Sequence, residues 1–498
     1  MSSNEPSKSL LIPILIGIAV GIMIGGALPA FGRSVSFIGE LFINSLLMLV
    51  IPLVMTSMIT SIASLGDVRK LKGIGLKTII FYTITTGIAV LIGLIAVNVV
   101  QPGVADTEAQ RILLRGGQVL ENVSYQIDGE TLELKADKFR RPFDERYMVI
   151  LEDGAVEGTV VQQKEFNARR LRIESWKNSL GEIATPKSEG TGIRVDLAVA
   201  SKVKGKESRS IADVLKEVVT GLLPRNLFAA MADNDVLPLI IFSLLFGGVL
   251  TTLGEKGKLV IQVFEGLNEA IMKMIDLILS ISPVGIGALI AGRLGEANGF
   301  SGFAAEFSSL SQYVMTVVGA LLIHGLIILP LILYFIPRRS PLLFLRNMLP
   351  ALTTAFSTAS SSATLPVSME CAIENNRISP KIVNFVFPLG ATINMDGTAL
   401  YEAVAAVFIA QIYGIELGFG QLIVIFLTAT LAAVGAAGIP EAGLVTMVIV
   451  LRAVDIPIEG ISLILVIDWF LDRCRTTVNV WGDAVGAAVV DTLEKSNK

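Results

Sequence analysis

The sequence predicts an all-α polytopic membrane protein with eight spanning helices, two re-entrant helical hairpins in inverted repeats, and a small β-rich insertion outside the membrane. First, the 498-residue chain is 52% hydrophobic and only 17% charged, which is typical of membrane proteins. Second, apolar runs recur that reach the roughly 20 residues a helix needs to cross a bilayer. Third, two later apolar runs are interrupted at their centres by small or polar residues, which indicates helices that turn back within the membrane.

The predicted spans follow one another in eight apolar runs. Four Lys or Arg residues, from Arg69 to Lys77, lie between the second and third runs, and short positive loops of this kind stay in the cytoplasm. The third span therefore exits, and the segment after it is expected on the outer side. The eight runs are about residues 9–29, 36–62, 78–101, 236–253, 268–293, 312–336, 383–412 and 461–490.

Composition divides the chain into four predicted regions. Residues 1–101 hold scaffold helices 1–3, and residues 102–212 are charged, with short alternating stretches typical of strands. Residues 213–340 hold the remaining helices before the hairpins, some of the scaffold and some of the core. Residues 341–498 form the core, with hairpin 1, a broken helix 7, hairpin 2 and helix 8. The single histidine, His324, excludes a two-histidine zinc site, and two cysteines predict no disulfide framework.

The two interrupted segments are residues 349–369 and 422–451, with predicted tips at the SSS and GAAGIPEAG sequences. Between them, residues 389–402 carry glycines and an aspartate in an apolar run, which predicts a helix broken near the NMDGT sequence. A broken helix exposes backbone carbonyl groups that a sodium ion can use as ligands. Paired interrupted segments are the best sequence indication of a transporter binding site.

The last predicted span carries a polar stripe. Asp468, Asp472, Arg475, Asn479 and Asp483 are three or four residues apart, so they share one helix face. A charge at the centre of a membrane costs about 2.5–3.5 kcal/mol, so this face needs partners in the protein interior or a cavity. Pairing of Asp472 with Arg475 would leave the other three groups unexplained.

The chemistry of these groups indicates their partners. The planar fork of Arg475 matches a carboxylate in two hydrogen bonds, and Asp472 can accept from an ammonium group. Asn479 can both donate and accept, and Asp483 is a hard oxygen ligand for a cation. The set fits an acidic amino acid that travels with cations.

Four motifs then carry a family resemblance: SSSATLP at 360–366, NMDGTALYEAVAA at 394–406, GIPEAG at 438–443 and DRCRTTVNVWGD at 472–483. In order and spacing the chain resembles the sodium-coupled glutamate/aspartate transporters, the dicarboxylate/amino acid:cation symporters that include the animal excitatory amino acid transporters. The resemblance covers nearly all of the chain except 102–212.

The resemblance implies a secondary active symporter that works by alternating access, with no catalytic residue and no cofactor. Sodium ions are the cotransported ligands, an acidic amino acid is the small-molecule partner, H+ and K+ are possible further ions, and nucleic acid is not a partner. The expected assembly is a homotrimer in a lipid membrane. The location is the plasma membrane, or the inner membrane of a Gram-negative bacterium, with residues 102–212 on the outer side.

The resemblance also implies roles for individual residues. Glu402 matches a position linked to proton and potassium coupling, and a buried lone carboxyl group suits a carrier of protons. Substrate-binding positions are Ser361, Thr398, Gly438, Ile439, Gly443, Asp472, Arg475, Thr476 and Asn479. One sodium site would use Asp483 with carbonyls of Gly390, Asn394 and Asn479. A second would use Asn394, Asp396, Tyr82, Thr85 and Thr86, and a third the carbonyls around Thr392, Ala433, Val434 and Ala436.

Other functions stay open at this point. A neutral amino acid or C4-dicarboxylate carrier of the same fold is one alternative, although Arg475 disfavours the former and Asp472 the latter. Paired membrane aspartates could instead serve an intramembrane enzyme as acid and base. His324 lies in an apolar run, and we expect it to be a hydrogen-bonded helix contact and not a proton relay.

Overall fold

The fold is described from a computed structural model in which helices dominate. Among the described residues, three helical stretches are long and apolar enough to cross a membrane: Ile74–Val100, Leu310–Phe335 and Pro380–Tyr413. Several shorter apolar helices accompany them. The structure describes residues 11–64, 73–105, 107–114, 117–135, 147–151, 156–161, 170–178, 182–197, 220, 223–232, 236–296, 299–434 and 442–495.

The helices fall before and after six strands. The helices up to residue 296 are α1 (Leu11–Ala27), α2 (Pro29–Met48), α3 (Val50–Ser64), α4 (Ile74–Val100), α5 (Glu108–Leu114), α6 (Leu227–Ala232), α7 (Val236–Thr252), α8 (Glu255–Ser280) and α9 (Ser282–Glu296). The later helices are α10 (Phe300–Ile323), α11 (Leu329–Phe335), α12 (Pro341–Thr358), α13 (Ser361–Glu370), α14 (Pro380–Ile393), α15 (Asp396–Tyr413), α16 (Phe419–Val434), α17 (Ala442–Ala453) and α18 (Ile461–Lys495). π-helical turns at His324–Ile328 and Cys371–Asn375 and a 3-10 turn at Ile458–Gly460 complete the helical elements.

Two of the predicted spans are each divided into two helices. The run predicted at 36–62 contains the end of α2 and the start of α3, and the run at 268–293 contains the boundary of α8 and α9. Pro52 and Pro283 lie in the first turns of the second helix in each pair. Proline is tolerated there because the first-turn N–H groups have no intrahelical acceptor, whereas it disrupts a helix interior.

The segment between α5 and α6 folds into a closed barrel of six antiparallel strands in the order β1-β2-β5-β4-β3-β6. Its interior is apolar and includes Tyr125 and Trp176. Gln118 at the start of β1 pairs with Val195 near the end of β6, so the chain enters and leaves the barrel side by side. The strands are β1 (Gln118–Asp128), β2 (Thr131–Leu134), β3 (Tyr147–Leu151), β4 (Val156–Val160), β5 (Arg170–Lys177) and β6 (Glu189–Leu197).

The short helix α5 joins the barrel to the helical region. It contacts β1 and β6 on one side and α10 and α15 on the other. Gly414, in the left-handed conformation, ends α15, and a Cβ there would lie 3.2 Å from the Arg111 guanidinium of α5. Arg111 therefore lies against a helix C-terminus, where a cation is favourable because the last carbonyl groups carry negative partial charge.

α15 is the centre of the later helices. Every residue of α15 except Gln411 is buried, which is typical of a helix surrounded by others on all sides. α4 and α18 both pack on it. A Cβ at Gly93 of α4 would lie 2.9 Å from the Leu400 carbonyl oxygen, so glycine permits this close approach. Although α4 belongs to the segment predicted as scaffold, residues 1–101, it packs on helices of the predicted core.

The predicted break in helix 7 is present. α14 ends at Ile393 and α15 begins at Asp396, so Asn394 and Met395 are not helical. The sequence cause is local, since small and polar side chains around this point stabilise a helix interior poorly. The break brings the NMDGT sequence against α18, as described below.

Two pairs of helices correspond to the predicted hairpins. α12 and α13 contact each other and are separated by Ala359, which has a positive φ of 52°, and Ser360. The Ser360 side chain caps α13 by accepting from the Ala363 N–H at 3.1 Å. α16 and α17 also contact each other, and residues 435–441 between them lie outside the described residues. The depth of either pair in a membrane stays a prediction.

Candidate functional site

The polar stripe of α18 faces the protein interior, as predicted. Each of Asp468, Asp472, Arg475, Asn479 and Asp483 is no more than 5% exposed. Charged groups buried this deeply are stable only with partners, because removing an ion from water costs several kcal/mol. The partners come from α18 itself, from α15 and from Asn394 at the break of helix 7.

Arg475 lies between two carboxylates. Its Nη1 donates to Asp468 Oδ1 at 2.9 Å, and its Nη2 donates to Asp472 Oδ1 at 2.7 Å. A longer bond of 3.4 Å joins Nη2 to Asp468 Oδ2. The ring centroid of Tyr401 is 3.8 Å from the guanidinium carbon, a cation–π contact that fixes the plane of the fork. The two carboxylates and the Tyr401 ring thus orient the guanidinium, and the carboxylates outnumber it in charge.

α15 and α17 complete the surroundings of Arg475. Asn479 Nδ2 donates to Thr398 Oγ1 at 3.2 Å, and Asn479 Oδ1 accepts from the Gly397 N–H at 2.7 Å. A Cβ at Gly443 of α17 would lie 3.1 Å from Arg475 Nη1, so the backbone of α17 approaches the guanidinium closely. Four predicted substrate-binding residues are therefore brought together: Thr398, Gly443, Arg475 and Asn479.

The other predicted substrate-binding residues differ in how the structure describes them. Asp472 pairs directly with Arg475, in the i,i+3 contact that the sequence analysis weighed as an alternative to substrate binding. Ser361 is buried at the first position of α13, a helix that contacts α18, and Thr476 is buried on α18 itself. Gly438 and Ile439 lie outside the described residues.

A second buried cluster surrounds Asp483. Asn394 Nδ2 donates to Asp483 Oδ1 at 2.9 Å, and the Asn394 Oδ1 atom has no hydrogen-bond partner among the described residues. A Cβ at Gly390 would lie 2.2 Å from Asp483 Oδ1 and 2.6 Å from the Tyr82 hydroxyl, so only glycine fits. A carboxylate and an unpaired amide oxygen in a buried position match the hard oxygen ligands of an alkali cation.

Asp396 is the centre of a third cluster, which joins α4 to the break in helix 7. Its Oδ1 accepts from Thr86 Oγ1 at 2.7 Å and lies 3.4 Å from Thr85 Oγ1. Its Oδ2 lies 2.9 Å from His324 Nε2. The Tyr82 hydroxyl donates to the Val386 carbonyl oxygen at 3.0 Å. Three of the five residues predicted for the second sodium site, Thr85, Thr86 and Asp396, are thus in direct contact.

The described residues among those predicted for a third sodium site are not joined by side-chain hydrogen bonds to one another. Thr392 Oγ1 donates to the Leu389 carbonyl oxygen at 3.1 Å within α14. Ala433 is buried and Val434 half-buried at the end of α16, a helix that contacts α14. Ala436 lies outside the described residues, and this site stays a prediction.

The buried acids outnumber the buried bases here. Four buried aspartates (468, 472, 396 and 483) lie on or beside α18, which carries two buried arginines (473 and 475), so the formal charges leave an excess of two acids before Glu402 is considered. No three His, Cys, Asp or Glu side chains gather as a metal site within the described ranges. The excess charge therefore calls for cations held by mixed carboxylate, amide, hydroxyl and carbonyl oxygens.

Glu402 connects α15 to α17. It is fully buried, and the Thr446 hydroxyl of α17 donates to its Oε1 atom. Its Oε2 atom has no hydrogen-bond partner among the described residues. A buried carboxylate with one unsatisfied oxygen is costly, and protonation of that oxygen removes the charge.

Sequence reasoning did not identify the partners of three of these residues. Asp468 lies seven residues before Arg475, or two helical turns, so the shared face could have indicated the pair. Tyr401 adjoins the predicted Glu402 but carries no spacing signal toward Arg475. His324 contacts Asp396 across 72 positions, and no local pattern links them.

The sequence matches one known family over most of its length. The model of the sodium:dicarboxylate symporter family matches residues 10–127 and 181–493. The unmatched residues between them include strands β2 to β5 of the barrel.

Individual relatives are similar over most of their lengths. The chain is 39% identical over 492 residues to excitatory amino acid transporter 3 of Mus musculus, covering 98% of this chain and 85% of the relative. It is 38% identical to excitatory amino acid transporter 1 of Ambystoma tigrinum, with 97% and 82% covered. A putative sodium-dependent excitatory amino acid transporter of Caenorhabditis elegans is 36% identical, with 99% and 91% covered.

Proposed function

The chain belongs to the sodium:dicarboxylate symporter family, and we propose that it is a secondary active transporter that carries glutamate or aspartate together with sodium. It is a multi-pass membrane protein and a transporter, not an enzyme. The relative from Caenorhabditis elegans is itself described as sodium-dependent.

The observation that carries this proposal is the buried Arg475 held between Asp468 and Asp472. Its guanidinium is oriented but its partners are protein carboxylates, which a substrate carboxylate resembles. The side-chain carboxylate of the substrate accepts two hydrogen bonds from the Arg475 guanidinium. Asp472 then no longer pairs with Arg475 and accepts from the substrate ammonium group. Thr398, Asn479 and the backbone near Gly443 border the same space and complete the polar contacts.

Substrate binding depends on sodium because the site buries more acidic than basic side chains. One ion is bound by Asp483 with the carbonyl groups of Gly390, Asn394 and Asn479. The orphaned Asn394 Oδ1 atom and the negative excess of the cluster support cation binding here. Without the ion, the carboxylate of Asp483 keeps only the Asn394 amide as a charge-stabilising donor among the described residues. Binding of sodium therefore favours the arrangement that accepts substrate.

Two further sodium ions complete the proposal. The second lies with Asn394, Asp396, Tyr82, Thr85 and Thr86, where hydroxyl and carboxylate oxygens already gather. The third uses backbone carbonyls around Thr392, Ala433, Val434 and Ala436. If that site needs hydroxyl ligands, the alanine and valine weaken it.

Glu402 is proposed as the proton carrier. Its carboxyl group sits between α15 and α17, so a change of its charge alters the contact of hairpin 2 with the rest of the core. Protonated Glu402 crosses with substrate and sodium, and deprotonated Glu402 suits the return step. Potassium countertransport in that return step is a further element of the proposal.

Transport proceeds by alternating access. We propose that α12–α18, with α4 packed on α15, move against a scaffold formed by α1–α3 and α7–α9. The assembly is a homotrimer in the plasma membrane, or in the inner membrane of a Gram-negative cell, and the barrel lies on the outer side. The packing of α4 on α15 supports placing α4 with the moving helices.

Uptake by proteoliposomes tests the proposal against its alternatives. With an inward sodium gradient, labelled aspartate or glutamate should accumulate, and replacement of sodium by choline should abolish the accumulation. Alanine and succinate should compete weakly, because each lacks one of the groups that Arg475 and Asp472 bind. Strong competition by alanine would favour a neutral amino acid carrier, and strong competition by succinate a dicarboxylate carrier.

A further inference from the structure

A π-helical turn interrupts the long helix that contains α10 and α11. It covers His324–Ile328, where the extra residue per turn shifts the side chains around the helix axis. π-turns are rare and are frequently found at functional sites. Here the turn directs two groups at the functional core. The Gly325 carbonyl oxygen accepts from Trp481 Nε1 at 2.9 Å, and His324 reaches Asp396.

The contact of His324 with Asp396 has a defined direction. An ionised carboxylate has only acceptors, so His324 Nε2 carries the hydrogen in the 2.9 Å contact with Asp396 Oδ2. Nδ1 has no hydrogen-bond partner among the described residues, and a proton there would be buried without an acceptor. The hydrogen bond from His324 Nε2 therefore orients the Asp396 carboxylate, and no second hydrogen bond from the ring competes with it among the described residues.

The two oxygens of Asp396 are held from opposite sides. Thr86 of α4 donates to Oδ1 at 2.7 Å, and His324 donates to Oδ2. All three side chains are at most 2% exposed. Two donors from two different helices fix the plane of a carboxylate at the break of helix 7, where the backbone alone does not fix it.

We propose that His324 is a positioning residue that orients Asp396 for a sodium ion. The inference rests on the proposed sodium site at Asp396. Donors behind a ligating side chain commonly change metal affinity by 10–100-fold when removed, because the ligand loses its orientation. A proton relay would need a second partner at Nδ1, and the described residues offer none.

A matched pair of substitutions isolates the donor. Glutamine at 324 can place an amide N–H near the position of His324 Nε2, whereas methionine has similar length and no donor. His324→Met should raise the sodium concentration for half-maximal aspartate uptake by about tenfold. His324→Gln should stay within about twofold of the wild type, and maximal uptake at saturating sodium should be preserved in both.

Two controls separate the possible causes. Trp481→Phe removes the other hydrogen bond of the same π-turn and leaves the Asp396 contact intact, so its sodium dependence should match the wild type. Equal shifts in Trp481→Phe and His324→Met would mean that the turn matters only for packing, which overturns the inference. Asp396→Asn should itself shift the sodium dependence strongly.

The remaining outcomes distinguish failure of the positioning role from failure of the proposed sodium site. If Asp396→Asn shifts the sodium dependence and both His324 variants behave like the wild type, the positioning role is wrong and the sodium site stands. If Asp396→Asn leaves the sodium dependence unchanged, the proposed sodium site itself is wrong. If His324→Met does not fold, His324→Leu replaces it as the variant without a donor: a rise of about tenfold in the half-saturating sodium concentration, with His324→Gln near the wild type, supports the donor role, and a wild-type value for His324→Leu contradicts it.

Discussion

The β-barrel and the core around α18 use the same kinds of side chain in opposite ways. In the barrel, Arg172 pairs with Glu130 on the outer surface, where both side chains are about 60% exposed (59% and 61%). In the core, Arg475 pairs with Asp468 at 0% and 2% exposure. The first pair is screened by water and contributes at most about 1 kcal/mol, whereas the second holds charges whose removal from water is costly. In this protein an ion pair indicates function only where it is buried, because its desolvation then costs free energy.

The two regions also bury different interiors. The barrel interior is a closed apolar cluster that includes Tyr125, Leu132 and Trp176. The core interior includes four aspartates and two arginines around a broken helix. The barrel therefore resembles an ordinary folding unit, and the core resembles a site that is incomplete without ions and substrate.

The largest expected effect distinguishes Arg475 of the core from Arg172 of the barrel. Arg475→Cys should abolish uptake of aspartate and glutamate, by at least about 100-fold, because the substrate carboxylate loses its fork and Asp468 and Asp472 lose their cation. Arg172→Cys in the barrel should change uptake by less than about twofold. Labelled uptake in proteoliposomes, with equal amounts of inserted protein, measures both.

Retention of acidic substrate uptake by Arg475→Cys would show that the carboxylate is bound elsewhere. Uptake of a neutral amino acid by the same variant would support the assignment further, since the group that selects a side-chain carboxylate would be absent.

The next largest effect concerns sodium. Asp483→Asn keeps the size of the side chain and removes its charge, so the half-saturating sodium concentration should rise by roughly 10–100-fold. Glu130→Gln, which removes the exposed carboxylate of the barrel pair, is the matched control and should leave it unchanged. Sodium titration of aspartate uptake gives both values, and an unaltered titration for Asp483→Asn would remove this residue from the cation site.

A smaller expected effect is on the pH dependence of uptake. External acidification should stimulate uptake by the wild type, because Glu402 must be protonated to cross with substrate. Glu402→Gln is permanently neutral, so uptake should lose its pH dependence and the exchange of internal for external substrate should continue. The comparison is uptake against external pH at fixed sodium. A normal pH dependence together with normal net uptake in the variant would contradict the role of Glu402.

The smallest expected effect is removal of the barrel. Gln118 and Val195 are paired neighbours, so deletion of the segment between them and closure with a short Gly-Ser linker leaves the flanking chain ends close together. The half-saturating concentrations for aspartate and sodium should stay within about twofold of the wild type. Loss of uptake by correctly inserted protein would show that the barrel takes part in transport and is not an independent unit.

Local patterns predicted the features of the site that lie on one element. The polar stripe of α18 follows from the helical period and the cost of buried charge, and the break at Asn394 follows from residues that stabilise helices poorly. The pairing of Asp472 with Arg475 follows from a spacing of three. Each of these needs only a few consecutive residues.

The remainder depends on contacts between distant elements. The barrel order β1-β2-β5-β4-β3-β6 pairs strands that are not consecutive, which alternation along one strand does not specify. The close approach of Gly93 to Leu400 places α4 on α15, although the sequence order assigned α4 to the scaffold. His324 and Asp396 meet only because a π-turn and a helix break coincide in space.

The central claim is that aspartate and sodium cross the membrane together, and one flux measurement tests it most directly. Proteoliposomes are prepared with equal sodium inside and outside, and an inward aspartate gradient is imposed while entry of radioactive sodium is followed. Sodium should enter against no gradient of its own, in proportion to aspartate, and the flux should be absent with Arg475→Cys. Aspartate entry without accompanying sodium would contradict the account.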